Sequence, residues 1–149
     1  MTSRICRLVR QHGGRVVPCR DLPMPYQRAL IQYLVTDDVA WSLPEKAALR
    51  VSLPIFERRF SKKKFGMVLI PTKVLMAEIS LYDETSFSDF ASYHAWYSSG
   101  GLPDHSRRNR WPIILSRKTN LDGLLEDGWH RFHCYVRQRA RNIPCLYFP

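Results

Sequence analysis

The residue types that could do chemistry crowd into one short stretch of this 149-residue chain, Glu126-Asp127-Gly128-Trp129-His130-Arg131. Two adjacent carboxylates, Glu126 and Asp127, could orient a water or hold a divalent metal, and a glycine followed by His130 and Arg131 could receive an anion. Phosphate chemistry is the chemistry that uses both halves.

The flanking pattern shows how such residues would be positioned. The apolar pair Leu124 and Leu125 precedes them, and Trp129, Phe132, His133, Val136 and Ala140 recur at i, i+3, i+4, i+7 and i+11. A strand therefore hands over to a helix at Gly128. The first turn of a helix has backbone N–H groups without internal partners, and the peptide dipoles place positive charge there. Gly128 and Trp129 would present those groups to a phosphate. A cation at a helix start opposes the dipole, so Arg131 makes more sense with an anion between them. The alternative is that Asp127 caps the helix and Arg131 is solvated.

A second cationic group lies upstream. Arg107, Arg108 and Arg110 lead into Trp111-Pro112-Ile113-Ile114-Leu115, a strand with proline near its first position, where a missing N–H costs least. The segment 117–123, with Asn120 and Asp122-Gly123, has turn composition, and Leu124-Leu125-Glu126 returns antiparallel. In a hairpin the start of the first strand lies beside the end of the second. The three arginines should then meet Glu126, Asp127 and Gly128, either as phosphate ligands or as exposed ion pairs worth about 0–1 kcal/mol.

Asp-Gly-Trp-His-Arg, one helix, and then Asn142-Ile143-Pro144-Cys145-Leu146-Tyr147-Phe148 resembles the closing segment of the ParB/sulfiredoxin superfamily. Gly66-Met67-Val68-Leu69-Ile70-Pro71 resembles its opening strand. Within the superfamily, Arg110-Trp111-Pro112-Ile113-Ile114-Leu115 and the Asp-Gly-x-His-Arg form look most similar to plasmid fertility-inhibition, or oncogenic-suppression, proteins. The resemblance implies a ParB/sulfiredoxin-like domain over 65–149, with 1–64 as a basic N-terminal extension packed on it. It implies an inhibitor of conjugative or type IV secretion DNA transfer, acting through ATPase or metal-dependent DNase activity at this turn; the alternative is a non-enzymatic basic module that blocks a secretion coupling protein. ATP or another nucleotide and a divalent metal, Mg, would be the cofactors, and DNA and a secretion coupling protein the partners. Glu126, Asp127, His130 and Arg131 would be catalytic, and Glu126 and Asp127 would hold the metal. Sulfiredoxins carry cysteine where this chain has Trp129, so their thiol chemistry does not transfer. Glu78 and Glu84 are loose candidates for the further glutamate of related free-serine kinases.

The chain carries a formal net charge of +10, unevenly placed. Residues 1–64 hold 13 basic and 5 acidic groups, 65–106 hold 1 and 5, and 107–149 hold 9 and 3. Such asymmetry suits nucleic acid, an anionic membrane surface or an acidic partner. The densest cluster, Arg58, Arg59, Lys62, Lys63 and Lys64, is interleaved with Phe56, Phe60 and Phe65. Aromatics between cations can stack on unpaired bases while the cations follow the phosphates. The plainer arrangement has the rings in the core and the lysines in solvent. No apolar run approaches the ~20 residues of a membrane span, and Met1-Thr2-Ser3-Arg4-Ile5-Cys6-Arg7 lacks the apolar core of a signal peptide. The expected location is cytoplasmic, or peripheral at the inner membrane through a partner. Cys6, Cys19, Cys134 and Cys145 have no disulfide or zinc spacing and are expected as reduced thiols.

The remaining pattern predicts an extended piece at 15–18, a helix over about 25–35, and a helix starting with a capping box at Ser42 and Glu45 and stopped by Pro54. It also predicts a buried strand at 66–70, a helix capped by Ser88 and ended by Gly100-Gly101, and a last strand at 143–148. The strand before Gly128, the helix and that last strand would form a parallel crossover. The fold class is α+β, a small mixed sheet with packed helices.

Overall fold

The computed structural model describes residues 4–36, 44–80, 87–100, 110–116 and 124–149. Five strands, β1 (Arg15–Pro18), β2 (Lys64–Pro71), β3 (Ile113–Leu115), β4 (Leu125–Asp127) and β5 (Asn142–Tyr147), form one mixed sheet in the order β1-β2-β5-β3-β4. Among the described strands only the β3–β5 pair is parallel. Among the described residues, six α-helices accompany it: α1 (Arg4–Gln11), α2 (Met24–Ile31), α3 (Glu45–Phe60), α4 (Thr72–Ser80), α5 (Phe90–Ser99) and α6 (Trp129–Arg137). The fold is α+β with a mixed sheet.

Strand alternation divides the core between the two faces of the sheet. Val68, Ile70, Ile113, Leu115, Ile143 and Cys145 point to one face, where Leu8, Leu75, Ile79, Tyr93 and Phe132 cover them from α1, α4, α5 and α6. Phe65, Met67, Ile114 and Leu146 point to the other, under Leu30, Ile31, Val35 and Phe56. Complete burial of each such side chain is worth about 1.5–3 kcal/mol. Residues 1–64 thus supply an edge strand, one helix of the first layer and, among the described residues, all the helices of the second.

Three local expectations are corrected. Pro54 does not stop its helix: α3 continues through it to Phe60. Pro54 and Arg50 are both exposed, so water can reach the Arg50 carbonyl that the missing N–H leaves free. This places Arg58 and Arg59 on a helix. The cap of α5 is Asp89, not Ser88, and its Oδ1 accepts the N–H of Ser92 at 2.7 Å. The strand before Gly128 does not run parallel to the last one. As the hairpin partner of β3, β4 takes the outer edge, so α6 carries the chain across β3 to β5, antiparallel to β4. Ser42 of the expected capping box, Asp83 and Glu84, and the 117–123 turn lie outside the described residues.

The C-terminal end of α6 is closed by a tight backbone motif. Arg139 takes φ 57°, its N–H reaches the Val136 carbonyl, and the Ala140 N–H reaches that of Tyr135, both at 3.0 Å. This pattern reverses the chain into β5 and returns Ala140 to the core. On β2, Gly66 lies directly under the Tyr147 ring, and a Cβ there would fall inside the ring. Gly66→Ala should therefore destabilise the protein by about 2–3 kcal/mol, read as a lower urea midpoint. An unchanged midpoint would show that Tyr147 is free to move.

Candidate functional site

The turn between β4 and α6 is built around Gly128. Its φ of +97° lies in the left-handed region, and a Cβ there would meet Arg131 Nη2 at 2.9 Å and the Ile113 Cα at 3.1 Å. Position 128 is therefore closed to side chains on two counts, backbone conformation and space. No side chain caps the helix, and its first internal bond runs from the Phe132 N–H to the Gly128 carbonyl at 2.8 Å.

Arg131 folds back over this turn and is 6% exposed. Its Nε donates to the Pro112 carbonyl at 3.1 Å, Nη2 meets Asp127 Oδ2 at 3.4 Å, and Nη1 meets Gln32 Oε1 at 3.4 Å. A buried guanidinium needs this pairing, and here it fastens the start of β3, the end of β4 and the segment after α2 to one another. That segment, Gln32–Thr36, is a turn of π-helix. It delivers a second contact: the Tyr33 hydroxyl donates to Glu126 Oε1 at 2.7 Å. Each of the two carboxylates has its own partner. Among the described residues, no group of three or more His, Cys, Asp or Glu comes together.

The 110–112 segment does meet the first turns of α6, through its backbone. The Pro112 carbonyl takes Arg131, and the Trp111 carbonyl takes the Tyr135 hydroxyl at 2.9 Å. Burial pushes the Tyr135 phenol up, which keeps it a donor. Arg110 is exposed, and Arg107 and Arg108 lie outside the described residues. Trp129 is half-buried against the first core cluster, while His130 is exposed with its ring 5.4 Å from that of Tyr97.

The basic block forms a separate surface. Arg58 and Arg59 end α3, Lys62 and Lys63 form the following turn, and Lys64 opens β2; all five are exposed. The turn is held by the Lys63 N–H on the Phe60 carbonyl at 2.9 Å and by the Cys19 N–H on the Lys63 carbonyl at 2.9 Å. Beside it lies an open cavity of ≈ 370 Å³ lined by Phe60, Lys63, Lys64, Phe65, Phe148 and Pro149. Lys63 Nζ stands 5.2 Å from the centre of the Phe60 ring. Phe65 and Phe148 meet edge to face at 5.8 Å, and the Tyr33 ring is 6.2 Å from Phe148. Tyr33 thus touches both regions, its ring near the aromatic cavity and its hydroxyl on Glu126.

Gln32, Tyr33 and Phe148 carry no site role in the sequence pattern because each reaches the site from a distant part of the chain. A histidine pair was missed for the same reason. His133, fully buried on α6, has its Nδ1 2.7 Å from the Nδ1 of His94 on α5. The Tyr97 ring stacks on His133 at 3.9 Å, and Phe90, Tyr93 and Phe132 complete the surround. One of the two nitrogens must donate and the other accept, so the contact holds a single proton. Burial, with His94 and His130 nearby, pushes the His133 imidazolium down to about 3; burial and Arg137 also push His94 down.

Compared with known proteins, the chain matches no family model, no curated protein and no solved structure.

Two outcomes follow from this geometry. Arg131→Ala should cost on the order of 2–3 kcal/mol, less than a fully buried pair because Asp127 keeps water, and it should appear as a lower urea midpoint. An Arg131→Ala protein of wild-type stability would show that the guanidinium is no fastener. The histidine pair contributes stability that is fully present above pH 6.5, the unfolded value. It is lost as pH falls toward about 3, the folded value for His133, at up to about 1.4 kcal/mol per pH unit. Unfolding midpoints at pH 7, 6 and 5 should fall for wild type and flatten for His133→Phe; parallel curves would contradict the assignment.

Proposed function

We propose that this protein binds nucleic acid electrostatically, without sequence specificity, through the face formed by Arg58, Arg59, Lys62, Lys63 and Lys64. The observation that carries this reading is their common placement. All five cations are exposed on a helix end, a hydrogen-bonded turn and a strand start, with Glu57 the one acid in the 57–64 stretch. Helix, turn and strand hold the charges at fixed spacing, so binding a phosphate chain orders little more than the side chains themselves. The plainer account of Arg58 and Arg59, complementing the dipole at the end of α3, does not explain three lysines beyond that end.

The motif resemblance supplies the setting. A ParB/sulfiredoxin-like protein related to fertility-inhibition proteins would use such a face on transferred DNA, or on a type IV secretion coupling protein, to block conjugative transfer. No helix among the described residues is long and apolar enough to cross a membrane.

A second reading, phosphoester or ATP hydrolysis at the β4–α6 junction, is favoured by Tyr33, which links the aromatic cavity to Glu126. In it Glu126 orients the attacking water, and the first-turn N–H groups after Gly128 receive the phosphate. Asp127 and Arg131 position that turn, the exposed His130 lies in the first turn of α6, and the exposed Arg110 precedes β3. The divalent metal implied by the resemblance would have Glu126 and Asp127 as its carboxylates.

For the binding face, affinity for a DNA oligonucleotide should fall with salt by roughly 0.7–0.9 log units per log unit for each phosphate neutralised. Replacing Lys62, Lys63 and Lys64 together with Ala should flatten that slope, and an unchanged slope would remove this block from the face. For the junction, Glu126→Gln should abolish any hydrolysis while leaving DNA affinity intact. A wild-type rate in that variant would rule the carboxylate out.

A further inference from the structure

The cavity beside the basic turn has walls of two chemical kinds. Phe60, Phe65 and Phe148 supply flat apolar surface, and Lys63 and Lys64 supply cations at the rim. Phe65 is buried, so the ring surface open to a ligand belongs to Phe60 and Phe148, each partly exposed. Double-helical DNA offers phosphates to the lysines but keeps the faces of its bases stacked inside. A single strand offers both, one phosphate for each unpaired base. At ≈ 370 Å³ the space is at the small end of ligand pockets, the size for one nucleotide rather than a larger molecule.

The rings also stand on fixed supports. Phe60 packs against Phe56 at 5.4 Å in the last turns of α3, and Phe148, following β5, is fixed by Phe65 and Tyr33. A stacking platform set by packing loses little freedom when a base lands on it. Lys63, now over the Phe60 ring, can exchange that weak contact for a phosphate at little cost, because an exposed cation–π contact is among the weaker interactions of a lysine.

We infer that this cavity receives one unpaired nucleobase, stacked on Phe148 and Phe60 with Lys63 and Lys64 on the flanking phosphates, so that the preferred ligand is single-stranded nucleic acid. The inference rests on the binding face proposed above and adds the class of ligand. An acidic peptide would satisfy the lysines but leave the aromatic surface without a matching partner.

Fluorescence anisotropy on the full chain tests this, using labelled oligothymidylate, an abasic strand of equal length and charge, and a duplex of equal length. Wild type should bind oligothymidylate about tenfold or more tighter than the abasic strand, the scale of one stacked base. Phe148→Leu, which keeps apolar bulk but removes the aromatic face, should erase that difference and leave the salt slope and abasic affinity unchanged. Should Phe148→Leu fail to fold by circular dichroism, Phe60→Leu provides the same test, with a severalfold loss expected. Equal wild-type affinity for thymidylate and abasic strands, or a preference untouched by both substitutions, would overturn the base pocket while the electrostatic face stands. Displacement of the oligonucleotide by a polyglutamate peptide of matched charge, with equal potency, would overturn it in favour of an acidic-protein site. No binding of any strand at low salt would overturn both this inference and the proposed face.

Discussion

The guanidinium of Arg131 occupies the space that a side chain at position 128 would need, and much of the structure is arranged around that exchange. Glycine permits the left-handed turn that sends β4 into α6, and the absence of a Cβ lets the Arg131 side chain fold back over the turn. From there it reaches the Pro112 carbonyl, Asp127 and Gln32, so one buried cation ties the β3–β4 edge of the sheet to the helical layer on its far face. Its charge is matched by Asp127 and by neutral acceptors rather than by a second fully buried ion, which limits the desolvation cost.

This constraint separates the two features that could otherwise be taken for a single anion site. The Asp-Gly-x-His-Arg stretch has the residue types of a phosphate turn, but its arginine is turned inward and engaged by the protein. The cations that remain free to meet a polyanion include those at the end of α3 and in the turn after it. Between the two regions stands Tyr33, in the turn of π-helix that follows α2. Such turns tend to persist where they serve a purpose. Here the purpose is visible, since the turn supplies Gln32 to Arg131 and Tyr33 to Glu126.

Local patterns were legible in the sequence wherever the determining residues lie close together in the chain. The β3–β4 hairpin, the handover at Gly128 and the 66–70 strand follow from periodicity and from glycine and proline placement. Pro54 misleads because its penalty depends on whether the freed carbonyl meets water, and that is a property of the packed molecule. The parallel crossover fails on similar grounds, since the hairpin claims the outer edge and forces the last strand to the far side of β3. Gln32 with Arg131, His94 with His133 and Phe148 with Phe65 join residues from distant parts of the chain. No spacing rule connects such residues before the sheet is assembled.

Backbone hydrogen exchange in the presence of a saturating single-stranded oligonucleotide tests the proposed nucleic-acid face directly. Protection should increase in the 58–65 segment and at Phe148, with the 126–131 junction unchanged because its contacts are internal. Protection confined to 126–131, with the basic turn exchanging as in the free protein, would contradict the proposed face and return the binding site to the Gly128 turn.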